Sequence, residues 1–174
     1  MKIVITTTPA NLVIPTSLLF WGFVTAYVLH ILEESTLAET FVAKMQARIW
    51  PEYGWKHFIG FNAILLSLNI LAIAIYEVFA GAWVIFPLGL AFERIFNGFW
   101  HLFESLVTRR FASGLLTSLL FWILGYFLVR YAFLQDQVPG IWILISVLIG
   151  LTLTGAMFGS MMWMKKIHFY QTAK

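Results

Sequence analysis

Cysteine is absent from this 174-residue chain, which excludes disulfides, thiolate metal sites and cysteine nucleophiles. Charge is scarce as well, at 11% Asp, Glu, Lys and Arg, against roughly 25% in soluble domains. With 61% apolar residues and so few charges, the chain suits lipid better than water as its solvent. The segment Met1 to Pro15 holds one basic residue, Lys2, and a threonine run. It lacks the basic start, short apolar centre and small-residue cleavage site of a signal peptide, so the first apolar stretch reads as a permanent helix. A formal charge of +3 would favour an anionic partner, but most Lys and Arg flank apolar segments, as the positive-inside rule requires. Nucleic-acid binding gains no support.

What is present is a series of long apolar runs. A membrane span needs about 20 apolar residues at a rise of about 1.5 Å each. Five stretches qualify, at 13–32, 58–79, 82–106, 114–134 and 140–163, the third being the least apolar. The expected fold is an all-α membrane bundle of about five spans in a single domain, 1–174. Between the first two spans, over 35–50, Leu37, Phe41, Met45 and Ile49 recur every fourth residue opposite Glu39, Lys44 and Arg48. That pattern predicts an amphipathic helix on the membrane surface. Trp50, Tyr53 and Trp55 follow it as an interfacial aromatic belt. The other links are short, at Gly81, Arg109 to Ser113 and Gln135 to Pro139. Lys44, Arg48, Lys56, Arg109, Arg110, Lys165, Lys166 and Lys174 gather on one side of the bundle, with Lys2 and Arg130 on the other. This asymmetry predicts an outside N-terminus and a cytoplasmic C-terminus. In the last span, Gly155 and Gly159, each followed by a small residue, form a stripe that would let helices pack closely, inside the bundle or in a homodimer.

Ionisable residues inside spans are costly and call for explanation. His30 is followed by Glu33 and Glu34, three and four residues on and therefore on a shared helix face. In the third span Glu93, Asn97, His101 and Glu104 also share a face. At the helical rise, His30 and His101 lie roughly 26 and 28 Å into helices that run the same way. Two His-x-x-Glu pairs thus arrive at one membrane boundary, where the second span opens with His57 and turns inward to Asn62. Glu33, Glu34 and Glu104 also face the negative ends of their helices, an arrangement that demands a compensating cation. A bound metal would serve, and so would Arg94, Arg109 or Arg110. The neighbours Glu93 and Arg94 point about 100° apart around the helix and are not expected to pair. Facing Glu and His residues build metal centres in helical bundles, although there the order is Glu-x-x-His.

The run His30-Ile31-Leu32-Glu33-Glu34 resembles the signature of the bacterial HXXEE-domain membrane proteins. Asn97-x-x-x-His101, Arg109-Arg110-Phe111 and Gly114-Leu115-Leu116-Thr117 are similar to that family's later segment of Asn, His, a basic-aromatic pair and a Pro-Gly turn. Here Ala112-Ser113-Gly114 stands where the proline and glycine would be. The resemblance covers roughly residues 15–130 and implies a bacterial plasma-membrane protein without assigning a reaction.

The leading expectation is a metal-dependent membrane enzyme, with His30, Glu33, Glu34, His101, Glu104 and His57 as candidate ligands and Glu93, Glu104 and Asn97 as candidate catalytic groups. The metal would be iron, manganese or zinc. The substrate would be a membrane lipid or another hydrophobic molecule, with Trp100 and Phe103 placed where they could line its cavity. Two other classes remain open. In one, Glu93 or Glu104 is a metal-free general acid that isomerises or cyclises a lipid or isoprenoid. In the other, the chain is a small transporter or lipid-binding protein.

Overall fold

The computed structural model of the chain describes residues 15–37, 40–133 and 138–172. The segment read as lacking a signal peptide lies outside the described residues from 1 to 14, as do Glu39, Lys174 and positions 135–137 of the link before the last helix. The elements are α1 (Thr16–Thr36), α2 (Phe41–Arg48), α3 (Trp55–Phe79), α4 (Ile85–Thr108), α5 (Leu115–Phe133) and α6 (Gly140–Thr172), with a 3-10 turn (Gly81–Val84) leading into α4. Among the described residues all regular structure is helical. Among the described residues three helices are long and apolar enough to cross a membrane: Thr16–Thr36, Trp55–Phe79 and Gly140–Lys166. The stretch Leu115–Arg130 of α5 is apolar but shorter.

Polarity is distributed as in a membrane protein, with apolar side chains outside and polar ones within. Ile59, Ile64, Leu71, Val78, Leu106, Val107, Ile123 and Leu148 are exposed, whereas His30, Glu34, Asn69, Glu93, Arg94, Asn97, His101 and Ser118 are buried. A continuous apolar exterior of this kind is unfavourable in water and natural against lipid. Inside, Tyr27, Phe20 and Phe23 of α1 pack with Leu88 of α4, Ile73 of α3 and Phe121 and Leu128 of α5. Phe23 and Phe121 stack with ring centroids 6.1 Å apart. A smaller cluster of Val42, Met45, Tyr53 and Phe58 seats α2 against the start of α3.

The surface helix is shorter than the 35–50 periodicity predicts. α1 runs on to Thr36, where the Ser35 and Thr36 hydroxyls donate back to the Leu32 carbonyl. α2 starts only where Thr40 Oγ1 accepts the Ala43 amide, at 3.2 Å. Lys44, expected on the solvated face, is buried, because a carboxylate of α4 waits beneath it. The final helix extends beyond 163 to Thr172.

α4 is the central element, packing on α6 and α5 and also touching α1 and α3. Its contact with α6 is made through glycines. A Cβ on Gly150 would lie 2.7 Å from Phe92 Cβ and 2.9 Å from the Glu93 amide nitrogen, and one on Gly89 would lie 2.7 Å from Ile149 Cγ2. Gly155 and Gly159, the stripe singled out in the sequence, have nothing within 4 Å of such a Cβ. The close crossing therefore uses Gly89 and Gly150, while Gly155 and Gly159 face open space among the described residues. Gly150→Val should destabilise the fold by about 1–3 kcal/mol through overpacking, while Gly155→Val should stay within about 0.5 kcal/mol of wild type. Thermal unfolding in detergent, followed by circular dichroism, checks both.

Candidate metal centre

The two glutamates of the HxxEE run separate because consecutive helix positions point about 100° apart. Glu34, four residues after His30, lies on the histidine's face and turns toward α4. Its Oε1 is 3.6 Å from His30 Nε2 and 3.5 Å from His101 Nε2. The two imidazoles meet edge to face with centroids 5.0 Å apart. One donor atom from each of His30, Glu34 and His101 falls within 4.8 Å of the others, and all three residues are buried. The cluster could hold a metal ion. Buried polar atoms normally have a hydrogen-bond partner, yet among the described residues neither His101 nitrogen has one. Two imidazoles and a carboxylate, one ring left without partners, are a donor set that fits a divalent cation.

Glu33 points instead to the start of α5. Its Oε1 accepts the amides of Gly114 and Leu116, and its Oε2 accepts the amide and the hydroxyl of Thr117, at 2.7 and 2.5 Å. An anion at a helix N-terminus satisfies orphan amides and complements the helix dipole. The positive end of α5 thus supplies the compensation that Glu33 needs at the negative end of α1. Thr117 carries the effect onward. Its single hydroxyl proton goes to Glu33, so at 2.8 Å from His30 Nδ1 its oxygen is the acceptor. Nδ1 therefore carries the imidazole proton, and the Nε2 lone pair faces Glu34 and His101. This is how outer partners fix ligating histidines in metal sites.

Gly114 closes the other side. It adopts φ +93°, which favours glycine, and a Cβ there would lie 2.7 Å from His30 Cε1 and 2.9 Å from His101 Nε2.

The remaining candidate residues lie outside this cluster. Glu104, three residues after His101, turns to α2, where Oε2 accepts from Lys44 Nζ at 3.0 Å and Oε1 from Arg48 at 3.4 Å. His57 caps the start of α3, its Nδ1 accepting the Gly54 amide at 3.0 Å, and its ring lies 4.7 Å from Trp50. Beside it, burial pushes the Tyr53 phenol above its usual range, keeping it neutral. Glu93 and Arg94 do pair, against the expectation from their 100° offset. The long guanidinium side chain folds back so that Nε and Nη2 donate to the two carboxylate oxygens, and it lies 4.2 Å from the Tyr27 ring centre. The Tyr27 hydroxyl donates to Asn62 Oδ1 at 2.7 Å. Asn97, one turn before His101, is buried with its Oδ1 unpartnered.

The sequence places Gly114 and Thr117 at a turn opening the next helix but gives neither a part in the site. Ser113 and Gly114 before an apolar run mark that helix start. That another helix's carboxylate completes the cap is a long-range fact.

An all-helical bundle with membrane-length helices and a buried His/Glu cluster defines the class. The family described as "Protein of unknown function with HXXEE motif" matches residues 21–129, and the chain belongs to it. No curated protein and no solved structure matches the chain.

Glu33→Ala strips four donors of their acceptor and should cost about 2–4 kcal/mol, whereas Glu33→Gln, which keeps one acceptor oxygen, should cost about half as much. Thermal unfolding of the purified variants in detergent reads the difference.

Proposed function

We propose that this chain is a five-span membrane enzyme that holds one divalent metal, most fittingly zinc, between His30, Glu34 and His101 and acts hydrolytically on a lipid-like substrate. The observation that carries the reading is the convergence of those three buried side chains with unpartnered His101 nitrogens. Ligands at about 2.0–2.1 Å from a tetrahedral metal stand about 3.4 Å apart, and adjacent ligands of an octahedral metal about 2.9 Å apart. The separations of 3.6 and 3.5 Å about Glu34 would suit the tetrahedral case better, with all three donor atoms within 4.8 Å of one another. A site with three protein ligands keeps a fourth position open, the pattern of catalytic rather than structural zinc. Bound there, zinc would supply a water acidic enough to be a nucleophile near neutral pH.

The chain's own groups have distinct tasks in this reading. Thr117, held by Glu33, presents the His30 Nε2 lone pair. Glu34 bridges the two imidazoles. Asn97 Oδ1, buried and unpartnered, is an acceptor available to a ligand in the interior. Glu93 is not favoured as a general acid, because both its oxygens are held by the Arg94 guanidinium. Glu104 is committed in the same way to Lys44 and Arg48.

Five spans follow if α4 and α5 cross as well, which the inward-turned charges of α4 permit. The basic residues flanking the spans then put the N-terminus outside and the C-terminus, with the metal-bearing end of the bundle, on the cytoplasmic side.

Plasma mass spectrometry of detergent-purified protein should find one zinc per chain in wild type and none in a His30→Ala, His101→Ala double variant. Thr117→Val should retain the fold but bind metal about 10- to 100-fold more weakly. Stoichiometric iron or manganese would replace hydrolysis with oxidative chemistry, and metal-free wild type prepared without chelator would overturn the reading.

A further inference from the structure

Two hollows lie between α2 and the C-terminal half of α4, and Lys44, Arg48, Glu104 and Thr108 line both. The first, about 190 Å³, is almost wholly apolar, with Phe41, Trp100, Phe103 and Val107 on its walls. The second, about 330 Å³, adds Arg110 and Ser113. Three cations, Lys44, Arg48 and Arg110, line it beside the Glu104 carboxylate. An anion with several acceptor oxygens would suit these donors.

The apolar hollow gives that anion a second half. Phe103 and Val107 remain exposed on its rim, on the apolar exterior of the bundle. A chain reaching in from the bilayer would therefore continue along them without crossing water. From the basic lining and the adjoining apolar groove, we infer that this cleft binds an anionic phospholipid, its headgroup against Lys44, Arg48 and Arg110 and part of one acyl chain along Phe41, Trp100, Phe103 and Val107.

Ser113 precedes Gly114, the residue packed against the His30 and His101 rings. The headgroup would sit one residue away from the metal centre, on the side nearest the glycerol ester and phosphodiester bonds. As a statement of substrate class the inference rests on the zinc-enzyme reading. As a statement about binding it stands on the cleft alone.

Native mass spectrometry of the full chain in neutral detergent, offered phosphatidylglycerol and phosphatidylcholine of equal chain length, tests it. Wild type should retain one phosphatidylglycerol in preference to phosphatidylcholine. Arg48→Gln with Arg110→Gln, both at exposed positions, should weaken that retention about twentyfold. Val107→Trp, which fills the groove and leaves the charges in place, should weaken it too, and millimolar orthophosphate should not displace the lipid. Equal retention of the two lipids, indifference to all three substitutions, or displacement by orthophosphate, which would mark a free-anion site, overturns the inference. Metal content measured on the same samples separates the two proposals. Metal-free protein that still selects phosphatidylglycerol upholds the lipid site and sinks the enzyme reading, while zinc-loaded protein that shows no selection does the reverse.

Discussion

The Glu33 carboxylate, accepting four hydrogen bonds at the head of α5, is the contact on which the candidate site depends. It joins the negative end of α1 to the positive end of α5, so each helix neutralises the other's terminus and the exposed amides of α5 need no water. In a bundle surrounded by lipid this matters more than it would in water, because an unsatisfied amide has no solvent to turn to. The same contact fixes Thr117, which fixes the tautomer of His30. Gly114 then brings the backbone over both imidazoles at a distance that no other residue would allow.

Each acidic residue of the bundle's site-bearing helices has its own compensation. Glu33 has a helix terminus, Glu34 the two histidines, Glu93 the guanidinium of Arg94, and Glu104 the ammonium of Lys44 with Arg48. The histidine compensation is the weakest, because a neutral imidazole carries no net charge, and the His101 nitrogens are left without hydrogen bonds. A cation there would resolve both conditions. The other three carboxylates, already paired or capped, hold the scaffold that aims this one.

α2 extends the arrangement to the bundle's edge. Its apolar residues sit on Phe58 and Tyr53, and its lysine reaches inward to Glu104. The result is a cleft whose walls are basic at one end and apolar at the other, beside the loop that covers the histidines. A polar interior and an amphipathic entrance are two consequences of the same inversion, in which charge is kept for the inside and the exterior is left to lipid.

The helical class was legible from long apolar runs, because composition and hydrophobic length depend on no partner. Helical spacing placed His30 and Glu34 on one face, and equal depth in two parallel helices placed His101 within reach. Which residues would face one another was not legible. Periodicity along one helix defines a face but not the direction in which a neighbouring helix lies, and side chains as long as those of Lys44 and Arg94 span the 100° step that separates adjacent positions. Hence Glu33 went to α5, Glu104 to α2 and Glu93 to its own neighbour, although all three carried the same spacing signal as Glu34. The sequence determined that this chain would bury histidines and carboxylates inside an apolar bundle. Only tertiary packing, which sets the rotation of each helix about its axis, decided that His30, Glu34 and His101 would converge.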